Sequence, residues 1–177
     1  MTNRQVILYI AMSLDGYIAK ENNDISFLSV VENPPEDYGY GDFIQTVDTV
    51  VMGRKTYDKV LSFGIEFPHR GRTCYVLSRS KTGADENVQF YNGDVATLLT
   101  KIRAEEGANI FIDGGAEVVF ELMQQNLIDR YIISIIPIFV GSGVLLFKSG
   151  RLEQKLKLTR SVTFPTGLVQ LWYEKQP

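Results

Sequence analysis

Cysteine and histidine are nearly absent from this sequence, whose 177 residues contain one of each, Cys74 and His69. A single cysteine excludes an internal disulfide and a cysteine-rich metal site. With only one histidine, histidine-based metal sites and Ser-His-Asp catalysis are poorly supported, so we expect no bound metal. The segment around His69, Phe67-Pro68-His69-Arg70-Gly71, is rich in turn-forming residues and predicts a surface position for that histidine.

Long apolar runs and an excess of basic charge are also missing. No run approaches the length of a membrane span, and the apolar run Val6–Met12 is too short for a signal peptide. The net charge of −3 does not draw the whole surface to nucleic acid or to an anionic membrane. We therefore expect a cytoplasmic protein without nucleic-acid or membrane partners, in which any anion site is local.

Length and composition predict one domain over residues 1–177. The chain is 45% hydrophobic and 22% charged, as in ordinary globular proteins, and it is long enough to bury a substantial core. It contains no internal repeats, linkers or low-complexity segments.

The segment from Asp48 to Asp58 joins a predicted buried strand directly to a predicted helix. Thr49–Met52 is a short apolar run, Gly53 lacks a Cβ, and Arg54, Lys55 and Thr56 fall in the first helical turn. Unpaired N–H groups and the helix dipole make such a turn suitable for a phosphate. An ordinary junction with solvated basic residues is an equally good interpretation of this segment alone. A P-loop is disfavoured because the upstream glycine and the Gly-Lys pair are missing.

Two further strand ends carry similar chemistry. The predicted strand Thr73–Leu77 ends in Ser78-Arg79-Ser80-Lys81, and the strand Asn109–Ile112 passes through Asp113-Gly114-Gly115-Ala116-Glu117 into a helix over 118–125. Two strand–glycine–helix junctions indicate a ligand with more than one phosphate, or an elongated ligand lying across parallel strand ends.

The order of the remaining predicted elements defines the fold class. Strands alternate with helices early in the chain, and we expect Asp42 to cap one short helix and Asp94 to cap another, which Gly107 ends. Late strands at 129–136, 156–162 and 168–174 run together, the last two as a hairpin. The sequence therefore predicts an α/β fold whose mostly parallel sheet carries antiparallel strands at its C-terminal edge.

In this order the motifs resemble the dihydrofolate reductase-like superfamily, a three-layer fold with flanking helices. The chain is most similar to small bacterial dihydrofolate reductase family proteins that share the reductase domain of the bifunctional riboflavin-biosynthesis deaminase/reductase. The resemblance spans nearly the whole chain, and the segments that carry it are 10–19, 51–57, 76–79, 112–116 and 137–143 with Phe147.

The resemblance implies an NADPH-dependent reductase and assigns cofactor contacts residue by residue. Gly53, Arg54, Lys55 and Thr56 match adenosine-side phosphate contacts. The stretch that holds the adenine and the 2′-phosphate corresponds to Leu77, Ser78 and Arg79. The glycine turn under the pyrophosphate corresponds to Gly114, Gly115, Ala116 and Glu117, and the nicotinamide flank to Ala11 and Ile18.

Substrate residues are predicted from the same resemblance. The family's tryptophan position is Phe27, and its acid on the first helix has no clear match in residues 36–42, which argues against folate reduction. Riboflavin-type reductases have acids at the places of Asp15 and Asp113, which we expect to contact substrate directly or through water. A turn former and a helix N-cap are equally good interpretations of these two acids. Phe27, Phe43 and Phe139 are candidates for a planar-ring pocket, or else plain core.

The leading functional prediction is hydride transfer to a pteridine- or pyrimidine-like heterocycle. One alternative is 5-amino-6-(5-phosphoribosylamino)uracil reduction, which needs a second basic cluster for the substrate phosphate, and no clear one is present. Another is a nucleotide-binding protein without catalysis. We also expect a homodimer, with the C-terminal hairpin around Leu171 and Trp172 supplying the interface unless Trp172 belongs to the domain's own core.

Overall fold

A mixed β-sheet runs through the centre of the computed structural model, which describes residues 4–176. The strands of these residues are β1 (Val6–Ser13), β2 (Tyr17–Ala19), β3 (Val47–Gly53), β4 (Thr73–Leu77), β5 (Gly83–Ala84), β6 (Gln89–Tyr91), β7 (Asn109–Gly114), β8 (Arg130–Ile136), β9 (Val144–Leu145), β10 (Leu156–Thr163) and β11 (Val169–Lys175). The α-helices are α1 (Tyr40–Gln45), α2 (Arg54–Leu61), α3 (Val95–Ala104) and α4 (Ala116–Gln124), with short 3₁₀ helices at Glu21–Asn23 and Ser26–Val31.

The order of strands across the main sheet is β10-β11-β8-β1-β7-β3-β4-β6-β5. The run from β8 to β6 is parallel, and β10, β11 and β5 are antiparallel to their neighbours. Strands β2 and β9 form a separate two-stranded sheet. The predicted α/β architecture, mostly parallel with antiparallel C-terminal strands, is confirmed.

Both faces of the sheet are covered, which explains why the inner strands read as unbroken apolar runs. In β3, Val51 belongs to a core cluster with Leu99 of α3 and Leu122 of α4. Its neighbours Val50 and Met52 point to the opposite face and pack with Tyr57 of α2. Helices therefore flank the sheet on both sides. Across the described residues, none of the helices is long and apolar enough to cross a membrane.

Strand register brings the predicted ligand-binding junctions together. Gly53 at the end of β3 pairs with Leu77 at the end of β4, and Met52 pairs with Gly114 at the end of β7. Because the strands are parallel, their carboxyl ends lie at one edge of the sheet, where α2 and α4 begin.

Two of the predicted helix boundaries are wrong. Asp42 lies inside α1, whose N-cap is the left-handed Gly39, and the nearby Asp37 carboxylate accepts the Gly39 and Gly41 N–H groups instead. Helix α3 ends at Ala104, before Gly107, which packs closely against the Asp48 and Arg4 side chains. The Asp94 cap is confirmed by its side chain, which accepts a hydrogen bond from the Thr97 N–H.

The C-terminal hairpin forms one end of the sheet. Leu171 and Trp172 lie on β11, which is enclosed between β8 and β10, and Trp172 packs against the domain's own core. The free strand at this end is therefore β10. The homodimer stays a prediction, and β10 is the strand that such an edge pairing would use.

Candidate active site

A groove of about 1110 Å³ follows the carboxyl ends of the central parallel strands. All but one of the residues predicted to bind the cofactor line it: Ala11, Ile18, Gly53, Arg54, Lys55, Thr56, Leu77, Ser78, Arg79, Gly115, Ala116 and Glu117. The exception is Gly114, which ends β7 directly before the lining residue Gly115. Four sequence-distant junctions thus contribute to one continuous cleft.

The two helix N-termini in this groove approach each other closely because glycines stand at both junctions. A Cβ added at Gly53 would lie 3.2 Å from Val118 Cγ2 on α4. One added at Gly115 would lie 3.2 Å from Thr56 Oγ1 on α2. Neither helix has a side-chain cap, so the N–H groups of both first turns remain available to an anion. This cradle fits a ligand with linked phosphates, such as a dinucleotide.

Cations concentrate along the same groove. Arg54 is held in an ion pair with Asp58 at 2.7 Å, and Lys148 pairs with Glu117. The hydrogen bond from Lys148 lowers the pKa of Glu117. Partial burial raises this pKa, and the charges of Lys148, Arg79 and Lys55 lower it further. Glu117 is therefore surrounded by positive charge. Lys148 was not found by sequence reasoning because it lies beyond the Gly141–Gly143 loop and outside any recognised motif.

The loop that carries Asp15 is hydrogen-bonded to the loop that precedes β9. The Asp15 carboxylate accepts hydrogen bonds from Ser13 Oγ at 2.6 Å, the Val140 N–H at 3.0 Å and the Gly141 N–H at 2.8 Å. Although partial desolvation raises it, these hydrogen bonds together lower the pKa of Asp15 to about 2. Asp15 lies outside the groove lining, and it is ionised at neutral pH. The geometry gives it a role in holding two loops together and offers no support for the predicted substrate contact.

Asp113 lines the groove, and the position of its partner His69 contradicts the predicted surface position of that histidine. His69 is buried, with 2% of its surface exposed, and its Nε2 lies 3.0 Å from Asp113 Oδ2. The ring packs edge-on against Phe67 and Phe111, and its Nδ1 has no hydrogen-bond partner among residues 4–176. The predicted surface position was wrong because the turn-rich loop folds back over the sheet. Asp113 belongs to β7, and Gly115 rather than Asp113 is the N-cap of α4.

A second cavity, of about 540 Å³, opens beside the groove and shares Ala11 and Leu28 with it. Its walls are mainly aromatic and aliphatic, with a polar rim; the lining residues are Tyr9, Ala11, Leu28, Ser29, Val31, Glu32, Asn33, Pro34, Pro35, Glu36, Asp37, Tyr38, Tyr40, Ser134, Ile136 and Leu168. Burial of the Tyr40 hydroxyl is the main cause that raises its pKa to about 12, and the negative charge of Asp113 contributes as well. Asp113 lines the groove, and its charge acts on Tyr40, which lines this cavity.

Hydrogen bonds fix the polar groups inside this cavity. The Tyr9 hydroxyl donates to the Tyr38 carbonyl, and Gln170 Nε2 donates to Tyr9 Oη, to the Tyr38 carbonyl and to Ser134 Oγ. Phe43 stacks on Tyr9 from behind, with ring centroids 4.6 Å apart. A network of this kind holds the walls in one arrangement.

The three phenylalanines predicted to bind substrate do not line either cavity. Phe27 and Phe43 are buried in core clusters, and Phe139 is 74% exposed on a loop. Tyr9, Tyr38 and Tyr40 line the second cavity instead, and of these only Tyr40 lies on an α-helix. A further part of the lining comes from the irregular loop at 32–38, together with residues of β1, β8 and the 3₁₀ helix Ser26–Val31 and with Leu168.

The chain is similar to known proteins over nearly its whole length. Residues 4–170 match the model of the RibD C-terminal domain family. The uncharacterized protein YwjB of Bacillus subtilis is 44% identical over 171 residues, which cover 96% of this chain and 97% of that protein.

Solved structures are also similar to this chain over nearly its whole length. A Shewanella sp. PV-4 protein named after riboflavin biosynthesis has a TM-score of 0.90 at 30% identity, with 98% of this chain and 99% of that chain covered. Dihydrofolate reductase from Enterococcus faecalis, solved with NADP(H), has a TM-score of 0.69 at 18% identity, with coverages of 98% and 97%. At that identity the likeness concerns the fold alone. The predicted dihydrofolate reductase-like fold is confirmed, and family and fold support a reductase-type function.

Proposed function

The chain belongs to the RibD C-terminal domain family, and we propose that it is an NADPH-dependent reductase acting on a small heterocyclic substrate. The observation that carries the proposal is the junction of two cavities of different chemistry. A cationic groove with paired helix N-termini meets an aromatic cavity at Ala11 and Leu28. A cofactor in the first and a flat acceptor in the second would be in contact there.

The groove residues divide into three binding tasks. The first turns of α2 and α4 would hold the pyrophosphate and neighbouring phosphate oxygens through their N–H groups. Ser78 and Arg79 would hold a 2′-phosphate, which favours NADPH over NADH. Ala11 and Ile18 would flank the nicotinamide, which when bound supplies the hydride.

The proton that accompanies the hydride needs a second source. Reduction of a carbon–nitrogen double bond places the hydride on carbon and a proton on nitrogen. Asp113 is an acidic side chain of the groove whose charge acts on Tyr40 in the cavity wall, and the buried His69 contacts its carboxylate. We therefore assign to Asp113 the transfer of that proton, directly or through water, with His69 positioning its carboxylate.

One experiment tests the proposal: NADPH binding and NADPH oxidation are measured on the same preparation. The acceptors are dihydropterins, dihydrofolate and the riboflavin-pathway pyrimidine. Oxidation with at least one acceptor is expected. Asp113→Asn, which keeps the side-chain size, should lower turnover about a hundredfold while changing the NADPH dissociation constant less than about twofold.

Glu153→Gln is the matched control, because Glu153 is exposed and lines neither cavity. It should leave both readouts unchanged. Failure to bind NADPH would reject the reductase assignment altogether. Binding without turnover on any acceptor would instead favour a nucleotide-binding protein without catalysis.

A further inference from the structure

The substrate cavity and the cofactor groove carry opposite charge. The groove is lined by five cations, Arg54, Lys55, Lys59, Arg79 and Lys148, and by three acids, Asp113, Glu117 and Glu121. The cavity is lined by Glu32, Glu36 and Asp37, and no arginine, lysine or histidine of residues 4–176 lines it. Cationic side chains thus line the groove and not the cavity, although the two share Ala11 and Leu28.

Two of the three acidic rim side chains, Glu36 and Asp37, are held in place by hydrogen bonds. Asp37 accepts hydrogen bonds from the Gly39 and Gly41 N–H groups, each at 2.9 Å, and Glu36 accepts one from the Tyr38 N–H at 2.8 Å. The Gly41 and Gly39 hydrogen bonds lower the pKa of Asp37, so its carboxylate is charged at neutral pH.

The rim charges also act on the interior of the cavity. Burial raises the pKa of the Tyr9 hydroxyl, the Gln170 hydrogen bond lowers it, and the charges of Asp37 and Glu36 raise it further. Two hydroxyl donors of the cavity are already engaged, because the Tyr9 and Tyr38 hydroxyls donate to the Tyr38 and Val31 carbonyls. A phosphate or carboxylate entering here would meet negative charge and no cation to compensate it.

We infer that the substrate is a flat, neutral or protonated heterocycle without a phosphate or carboxylate tail. This inference rests on the proposed function. A volume of about 540 Å³ between tyrosine and proline walls suits one bicyclic ring with a short uncharged side chain. Phosphorylated ribosylamino-pyrimidines and glutamate-bearing folates carry the charge that the rim excludes.

The test uses a pair of probes that differ by one phosphate, dihydroneopterin and dihydroneopterin monophosphate. Dissociation constants are measured by calorimetry, with and without saturating NADP⁺. We expect the neutral probe to bind at least about tenfold more tightly than the monophosphate, and the ratio to shrink as salt is raised.

A double variant, Glu32→Gln with Glu36→Gln, removes two rim charges and keeps an acceptor for the Tyr38 N–H. It should tighten monophosphate binding about tenfold and change dihydroneopterin binding less than about twofold. The matched control, Glu106→Gln with Glu153→Gln, removes the same charge from exposed positions outside both cavities and should leave the ratio unchanged.

Three results would overturn the inference: equal or tighter binding of the monophosphate, no binding of dihydroneopterin, or a ratio that the rim variant leaves unchanged. Because the ratio is also measured without NADP⁺, failure of the proposed function is distinguishable. If the protein does not bind NADP⁺, the reductase assignment is rejected. The ratio of the dissociation constants of the two probes still tests the inference about the cavity in that case.

Discussion

Replacing Arg79 by alanine should separate the two nicotinamide cofactors. Arg79 lines the groove at the end of β4, and no carboxylate of residues 4–176 lies within ion-pair distance of it, in contrast to Arg54, which Asp58 engages. Its guanidinium is therefore ready to meet a phosphate. Only NADPH carries the 2′-phosphate, so Arg79→Ala should weaken NADPH binding and leave NADH binding nearly unchanged.

The size of the effect follows from the exposure of this side chain. A hydrogen bond to a charged partner contributes about 1.5–3 kcal/mol when it is sheltered from solvent. Arg79 is exposed, so water and salt screen the contact and about 1–2 kcal/mol remains. The NADPH dissociation constant should then rise about five- to thirtyfold, and the NADH constant by less than about twofold.

Fluorescence titration with both cofactors measures this difference, at low and at high ionic strength. The NADPH penalty should shrink in high salt because screening weakens the contact in the wild type. Arg70→Ala is the control, since Arg70 is an exposed arginine outside both cavities that pairs with Glu66. An equal loss for NADPH and NADH, or no loss for either, would refute the assignment of Arg79 to the 2′-phosphate.

Two further predictions concern the loop clamp and the glycine cradle. Because the folded state lowers the pKa of Asp15 from 3.8 to about 2, its contribution to stability is complete above the unfolded-state pKa and is lost as the pH falls towards 2. Asp15→Asn should therefore lower the thermal midpoint at neutral pH and flatten its acid dependence in melting curves. Identical acid limbs for variant and wild type would contradict the clamp. Gly53→Ala adds a methyl group 3.2 Å from Val118 Cγ2, which should displace α4 and weaken NADPH binding about tenfold. A second change, Val118→Ala, should restore the affinity in the same titration, and failure to restore it would mean that Gly53 acts through direct approach to the ligand.

The residues that line the groove could be predicted from the sequence because their signals are local. Each apolar strand is followed within a few residues by the glycines, hydroxyls and cations that it delivers, as in Val51 to Thr56. Because parallel strands end at one edge of a sheet, these residues were expected to lie close together.

The remaining features depend on partners far away in the chain. His69 is buried because Asp113 accepts its contact across the sheet, and the Asp15 carboxylate accepts a hydrogen bond from the Val140 N–H. Neither partner can be read from the flanking sequence. The second cavity was not predicted for the same reason, since the loop at 32–38 has no periodic pattern and forms the cavity wall together with residues as distant as Tyr9 and Ser134.

The loop clamp has a consequence for synthesis of the chain on the ribosome. Asp15 is made early, but its acceptor sites are satisfied by Val140 and Gly141, and the groove also needs Lys148 while the cavity needs Leu168. The nascent chain therefore cannot present a finished site until nearly all of it has been translated. Fragments released early by stalled translation would lack the loop clamp and part of the lining of both cavities.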